Sequence, residues 1–340
     1  METNLHYVRQ LAPDCLDEIT RRYRILEAIS YLAPCGRRTL VEELALTERT
    51  IRNEVERLQI QNLIEVSNLG MMITNEGIVL LENLKDAISI TTEWTAKEKQ
   101  VAELLGVKKV IISRGDFANG TCGRVDFARV ATRYFMEIVT KNSCVAMTGG
   151  TTIENFVTAL PQMDKKMVGM VVPARGSIGR HMELQADTLV MSMATRLHGE
   201  YCALHLPDNL SETALEELQK QPEVKDTLAE IAHVDILLLA IGDGLEMAKK
   251  RLLDEETQKF LFDKNVVAET CGYYFDANGS VVYKTQSVSI EFQKIKEVPY
   301  VLVMAGGEKK AKSLLAVSQS IPHGVFIIDE VLAQKIIEMK

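Results

Sequence analysis

No stretch of this 340-residue sequence approaches the roughly 20 consecutive apolar residues of a membrane-spanning helix, so nothing in it argues for a bilayer crossing. Its six cysteines (Cys15, Cys35, Cys122, Cys144, Cys202 and Cys271) are scattered, without a Cys-x-x-Cys pair. That spacing speaks against a disulfide framework and against structural zinc, and it suits reduced thiols. Met1–His6 lacks the basic-then-apolar plan of a signal peptide, so a cytoplasmic location is expected. The histidines (His6, His181, His198, His205, His233 and His323) show no metal-ligand spacing, and no metal is expected. His181, which follows Arg175-Gly176-Ser177-Ile178-Gly179, reads as structural. No Gly-x-Gly-x-x-Gly with an acidic residue about twenty positions later is present, and no Walker lysine follows a glycine turn, so no nucleotide cofactor is expected. The single tryptophan, Trp94, reads as a packing anchor.

Lysine is also missing from the first quarter of the chain. The first is Lys85, and the cations before it are nine arginines, accompanied by thirteen acidic residues. The whole chain carries a net charge of −8. Bulk electrostatic attraction to nucleic acid is therefore excluded, and any DNA recognition must come from local placement. Arginine is well suited to that, because its planar fork meets phosphate or guanine bidentately.

The length suits two domains, expected over residues 1–90 and 91–340. In the first, Arg21–Ala33 has apolar residues at helical spacing, and Thr39-Leu40-Val41-Glu42 reads as a capping box opening a second short helix through Leu44. Thr47 is expected to cap a third helix with Ile51, Val55, Leu58 and Asn62 on one face and Arg49, Asn53 and Glu56 opposite, flanked by Arg52 and Arg57. Leu63–Ser67 and Met71–Thr74, joined by Asn68-Leu69-Gly70, read as a hairpin. This order describes a winged helix-turn-helix, with Arg49, Arg52 and Asn53 offered to a major groove and Arg37 and Arg38 to phosphates. The same elements also fit a small interaction domain that touches no DNA. From Asn75 to about Ile90, Ile78, Leu81, Leu84, Lys85 and Ile88 describe an amphipathic linker helix able to pair with its twin in a dimer. Thr95-Ala96-Lys97-Glu98 reads as a further capping box.

Beyond the linker, strand-like runs alternate with helical patterns: Lys109–Ser113, Cys144–Thr148, Met167–Pro173, Tyr201–Leu206, Val234–Ile241, Tyr300–Ala305 and Gly324–Ile328. Their Val/Ile/Leu content suits a parallel sheet buried on both faces. Val267–Phe275 and Ser280–Lys284 flank an Asn278-Gly279 turn and predict a β insertion. The fold class is thus α/β: a winged helix-turn-helix plus a doubly wound, Rossmann-like domain with a small β insertion.

Ligands of such sheets bind at the carboxyl ends of the strands. There the sequence places Gly149-Gly150-Thr151-Thr152, Ala174-Arg175-Gly176, Gly242-Asp243-Gly244 and Gly306-Gly307-Glu308-Lys309-Lys310. The first of these is either an ordinary βα turn or an anion cradle made of N–H groups, hydroxyls and a helix dipole. Arginine and lysine at neighbouring strand ends favour a phosphorylated ligand. Lys249-Lys250-Arg251 is either a second phosphate site or a solvated helix face.

Together, the winged helix, the linker helix, Val145–Ile153, Val172-Pro173-Ala174-Arg175-Gly176, Glu269–Phe275 and Ala305-Gly306-Gly307 resemble the SorC-type sugar-binding transcriptional regulators over nearly the whole chain. The resemblance implies a repressor of glycolytic genes that binds operator DNA as a dimer or tetramer and is relieved by fructose 1,6-bisphosphate. One phosphate would sit on Gly149, Gly150, Thr151 and Thr152, neutralised by Arg175 and Lys310, and the other would fall to Lys250 and Arg251. Glu269, joined by Gln185, would meet the sugar hydroxyls. The family pattern has arginine at the position of Lys250; lysine keeps the charge but loses the bidentate fork. The second domain also resembles sugar-phosphate isomerases and glucosamine-6-phosphate deaminases, which makes an enzyme the rival reading. Those deaminases carry a proton-transferring histidine after the glycine turn, whereas Leu245-Glu246 follows Gly242-Asp243-Gly244 here, so no catalysis is expected. A sensor acting through protein partners is the third reading.

Overall fold

A computed structural model describes residues 12–44, 46–90, 94–176, 182–204, 206 and 211–339. The expectations for His181 and for the side chain of Trp94 lie outside the described residues. The chain forms two compact units. The first runs to Lys97 and takes in Gly120–Val125; the second comprises Glu98–Asn119 and the chain from Asp126 onward.

In the first unit, α1 (Pro13–Leu32), α2 (Arg37–Leu44) and α3 (Glu48–Ile60) precede the antiparallel strands β1 (Ile64–Ser67) and β2 (Gly70–Ile73), and α4 (Asn75–Ile90) follows. Thr47 caps α3 by accepting a hydrogen bond from the Thr50 amide, as its sequence predicts. The core is made by the predicted faces: Ile25, Leu26 and Ile29 from α1, Leu40 from α2, Ile51, Val55 and Leu58 from α3, and Ile64 and Met71 from the hairpin. Each such side chain contributes about 1.5–3 kcal/mol when taken fully out of water. Asn62 does not continue the α3 face, because it lies past the helix end with φ 56°.

Both predicted capping boxes start too late. Cys35 exchanges backbone hydrogen bonds with Met71 at 2.8 and 3.2 Å, which fixes the chain so that α2 begins at once at Arg37 and holds Thr39 inside it. Helix α5 (Trp94–Leu105) likewise already includes Thr95, and the Glu98 carboxylate accepts from the Ile112 amide at 2.9 Å instead of capping its own helix.

One contact of the first unit has no simple sequence signal. Glu54, on α3, is 4% exposed and accepts from Arg21 at 3.1 Å and Arg22 at 2.8 Å on α1. Burial alone would raise this carboxyl, but the hydrogen bonds from Arg22 and Arg21 hold it below the usual carboxylate range. Glu54→Ala is expected to destabilise the first unit by about 1.5–3 kcal/mol, as for loss of a charged hydrogen-bonding partner. A carboxyl with a depressed folded pKa stabilises the fold above its unfolded pKa, about 4.3. That contribution fades as pH falls through the folded value. Urea unfolding at pH 7 and pH 3 tests this: the gap between wild type and variant should narrow in acid.

In the second unit, among the described residues, seven parallel strands make one sheet in the order β3-β12-β11-β7-β4-β5-β6. These are β3 (Lys109–Ser113), β4 (Cys144–Met147), β5 (Met170–Pro173), β6 (Glu200–Tyr201), β7 (Ile236–Ala240), β11 (Tyr300–Ala305) and β12 (Val325–Asp329). From β4 the chain adds strands toward one edge (β5, β6) and then returns to add β7 and β11 on the other side. The topological switch therefore falls between β4 and β7. The core beneath includes Phe127 and Phe135 of α6 (Thr121–Ile138) and Phe156 of α7 (Thr151–Ala159), with Phe135 and Phe156 edge to face at 5.3 Å.

Two sequence expectations change here. The predicted strand Tyr201–Leu206 stops at Tyr201, because the Asp187 carboxylate accepts the Leu204 amide at 2.8 Å and draws the chain away from the edge of the sheet. The predicted strand Val267–Phe275 is two strands, β8 (Val266–Thr270) and β9 (Tyr273–Asp276), which with β10 (Val281–Lys284) form a separate antiparallel sheet. Cys271 and Gly272, at φ 52° and 86°, make the tight turn between β8 and β9. The expected Asn278-Gly279 turn joins β9 to β10.

Among the described residues no helix is long and apolar enough to cross a membrane, and no group of His, Cys, Asp and Glu could hold a metal ion.

Candidate functional site

On the first unit, Arg49, Arg52 and Asn53 are exposed along the outer face of α3, and Arg37 and Arg38 are exposed in the first turn of α2. Arg52 lies 3.7 Å from Glu48, one turn away, where an exposed pair is worth about 0.3–0.5 kcal/mol and gives way to a phosphate readily. Arg37, Arg38 and Arg49 form no ion pair among the described residues. By contrast Arg21, Arg22 and Arg57 are engaged with Glu18 and Glu54, which narrows the arginines available to an outside partner.

On the second unit, all ten residues that the sequence nominated for the effector line one cavity of about 550 Å³: Gly149, Gly150, Thr151, Thr152, Arg175, Gln185, Lys250, Arg251, Glu269 and Lys310. The volume is that of a small-molecule site, about 300–1,000 Å³. The cavity opens at the switch between β4 and β7, where doubly wound sheets hold their ligands. Thr148, at the end of β4, fixes this crevice: its hydroxyl accepts from the Ala240 amide at 3.0 Å, and its amide donates to Leu238.

Two helix N-termini meet there. Helix α7 starts at Thr151 after Gly150, and α8 (Ala186–Leu197) starts after Gln185. The Gly150 amide donates to the Leu184 carbonyl at 2.9 Å, which clasps one helix start to the other. Gly149 makes this approach possible, since a Cβ there would fall 2.3 Å from the Leu184 oxygen. The first N–H groups of a helix have no intrahelical acceptor, and both dipoles direct partial positive charge into the cavity.

Charge adds to this. Arg175 and Arg251 are 3% and 8% exposed, and both donate to the same oxygen of Glu269, Oε1, at 3.1 Å. That oxygen also accepts from the Gly272 amide at 2.7 Å, so the β8–β9 turn is built around it. Arg175 is further held by Thr285, whose hydroxyl lies 3.5 Å from Nη2. Lys310 reaches in from the turn after β11, and its ammonium donates to the Ile241 carbonyl. Burial pushes the Lys310 ammonium below the usual lysine value, and the positive Lys250 adds to the effect. Among the described residues the inner wall thus brings two guanidiniums and an ammonium close to the Glu269 carboxylate. At the mouth, Lys249 and Lys250 are exposed at the end of α11 (Gly244–Lys250), near Glu246.

The family resemblance implies Arg175 on a phosphate and Glu269 on the sugar hydroxyls; in the structure the two side chains are partners of each other. Thr148 was expected only as a strand end, and Asp243 only as part of the Gly242-Asp243-Gly244 turn, with no role given to either side chain. Asp243 carried a signal, Asp-x-x-Glu before a helical run, and its carboxylate does cap α11 by accepting the Glu246 amide at 2.9 Å. Thr148 and Thr285 carried none, since a single threonine at a strand end has no pattern of its own.

Two family models match the chain: "CggR N-terminal DNA binding domain" over residues 19–88 and "Putative sugar-binding domain" over residues 91–338. The chain is 34% identical over 329 residues to the central glycolytic genes regulator of Bacillus subtilis (strain 168), covering 97% of both proteins. It is 32% identical over 338 residues to the central glycolytic genes regulator of Priestia megaterium, covering 99% of both. Among solved structures, a SorC family transcriptional regulator from Enterococcus faecalis superposes with a TM-score of 0.67 at 31% identity, over 71% of this chain and 99% of that one. The full-length sorbitol operon regulator SorC from Klebsiella pneumoniae shares the fold over 96% of this chain and 98% of that one, with a TM-score of 0.66 at 18% identity. With a DNA-binding domain matched before a sugar-binding domain and these relatives along nearly its whole length, the chain belongs to the SorC-type family of sugar-binding transcriptional regulators.

Proposed function

We propose that this protein is a cytoplasmic repressor of glycolytic genes that leaves its operator when fructose 1,6-bisphosphate enters the cavity of the second unit. The observation that carries the effector reading is the convergence of buried Arg175 and Arg251 and the Lys310 ammonium on one cavity at the meeting of two helix N-termini. Such a wall suits a dianionic phosphate held by backbone amides. One phosphate sits on Gly149–Thr152 with Arg175 and Lys310, the other near Lys250 and Arg251, and Glu269 and Gln185 face the sugar hydroxyls. The naming of two relatives as central glycolytic genes regulators supports the target. Arg49, Arg52 and Asn53 read base edges, and Arg37 and Arg38 hold phosphates. The protein acts as a homo-oligomer on repeated half-sites, uses no cofactor or metal, and catalyses nothing. Release follows from a lower affinity of the effector-bound arrangement for DNA.

A mobility-shift assay with the upstream DNA of its own operon, with and without fructose 1,6-bisphosphate, tests this. DNA should bind at low salt and be released by the sugar bisphosphate. In Thr152→Ala or Arg175→Ala the effector response should weaken about tenfold or more while operator affinity stays nearly intact, since one charge-assisted hydrogen bond is worth about 1.5–3 kcal/mol. Absence of any DNA binding at low salt sinks the repressor reading, and turnover of sugar phosphates would restore the enzyme.

A further inference from the structure

The turn that brings Lys310 to the cavity is held from behind by a carboxylate that does not line it. Asp329, at the end of β12, is fully buried. Its Oδ2 accepts from two amides of separate segments, Gly307 at 2.9 Å and Phe117 at 2.8 Å. Its Oδ1 accepts from the Leu332 amide at 3.0 Å, in the first turn of α15 (Glu330–Met339). Capping α15 would account for Oδ1 alone. The other oxygen joins the Gly306-Gly307 turn to the loop between β3 and α6.

The two segments also touch directly. A Cβ on Gly306 would fall 2.5 Å from Phe117 Cβ, and one on Gly307 would fall 3.0 Å from the Ala118 methyl, so the turn and the loop are in backbone-to-side-chain contact. Phe117 is seated in turn against Phe127 of α6, with ring centroids 4.9 Å apart. The Gly115 amide donates to Glu330, which ties the start of the same loop to α15. At its far end this loop continues along the chain into Gly120–Val125, the stretch that the DNA-binding unit takes in. The Lys310 side of the turn is equally short of slack: the Lys310 amide donates to the Gly307 carbonyl at 3.1 Å, and its ammonium donates to the Ile241 carbonyl.

We infer that Asp329 is a positioning residue that links occupancy of the Lys310 subsite to the β3–α6 loop, and through that loop to residues 120–125 of the DNA-binding unit. The inference rests on the reading that a sugar phosphate occupies the cavity. A phosphate that draws Lys310 off the Ile241 carbonyl moves the Gly307 turn. Because one carboxylate oxygen holds both Gly307 and Phe117, the loop moves with it. Packed elements with two discrete arrangements carry coupling of this kind.

The test is hydrogen exchange on the full chain with fructose 1,6-bisphosphate as probe, in wild type, Asp329→Asn and Phe117→Pro, which removes the amide that Oδ2 accepts, alongside DNA release. In wild type the probe should slow exchange at residues 149–153 and alter it at 114–125. In both variants the change at 149–153 should persist and the change at 114–125 should vanish. The probe concentration for half-release of DNA should rise about tenfold or more, within the usual span of coupling. A carboxylate that merely stabilises the fold would not remove one probe-dependent change and spare the other. If Asp329→Asn does not fold, Phe117→Pro decides, and if neither folds the wild-type pattern does. Wild-type behaviour at 114–125 in the folded variants overturns the inference, as does a wild type that responds at 149–153 and not at 114–125. A wild type without any response at 149–153 overturns the cavity reading, and the inference with it.

Discussion

Gly149→Ala is expected to abolish the response to fructose 1,6-bisphosphate while leaving the DNA-binding unit untouched. The added Cβ would lie 2.3 Å from the Leu184 carbonyl oxygen and 3.2 Å from the Ala186 amide nitrogen. Both are backbone atoms, so no side-chain rotation relieves the contact, and the β4–α7 turn has to part from the start of α8. The Gly150–Leu184 hydrogen bond at 2.9 Å is then stretched, and the amides of the two helix starts no longer converge on one point. Losing two charge-assisted hydrogen bonds costs about 3–6 kcal/mol, or about a hundredfold or more in affinity. Titration calorimetry with fructose 1,6-bisphosphate measures it, with Thr152→Ala as the milder comparison. The collision lies within the second unit, so operator affinity without effector should match wild type. A Gly149→Ala protein that binds the sugar bisphosphate normally would show that this turn is not the anion cradle.

How much of this arrangement the sequence carries depends on whether it rests on local pattern or on long-range pairing. The parallel strands were readable because a sheet covered on both faces needs continuous Val, Ile and Leu, as in Ile236-Leu237-Leu238-Leu239. The inner and outer faces of α3 were readable because they follow helical period from a capped start at Thr47. Part of the site was readable because glycines, hydroxyls and cations recur just beyond strand ends, whereas Gln185 and Glu269 came only with the family resemblance. Side-chain partnerships were not readable. Glu269 meets Arg175 across 94 residues, and Glu54 meets Arg22 across 32, with no periodicity to announce either pair. The β8–β9 turn was hidden for a related reason. Glu269–Phe275 reads as an unbroken β-prone run, and the bend depends on the Glu269 carboxylate accepting the Gly272 amide. The edge strand β6 was overextended because the force that ends it, the Asp187 carboxylate on the Leu204 amide, lies outside the run itself.

Glu269→Ala is expected to destabilise the second unit by about 3–5 kcal/mol, the range for removing one partner of a buried ion pair. Arg175 and Arg251 have side chains 3% and 6% exposed, so neither guanidinium reaches bulk water when its shared carboxylate is gone. Both guanidiniums then lose the carboxylate they share in a poorly solvated wall, and the Gly272 amide loses its acceptor. For a unit of this size, each kcal/mol lowers Tm by roughly 2–4 °C, so a drop of roughly 6–20 °C is expected in chloride buffer. The same geometry makes the loss conditional on the anion present. Inorganic phosphate can replace the missing carboxylate as counter-charge, and a ligand held at a hundred times its Kd adds about 2.7 kcal/mol. Thermal unfolding in phosphate and chloride buffers of equal ionic strength should therefore show a larger phosphate gain for Glu269→Ala than for wild type, where Glu269 repels the incoming anion. Glu269→Gln, which keeps an oxygen acceptor but not the charge, should fall between them. Equal phosphate gains in all three proteins would mean that Arg175 and Arg251 serve only to fold the β8–β9 turn. Unequal gains would mean that Glu269 holds both arginines in place for a phosphate while withholding part of their charge from any weaker anion.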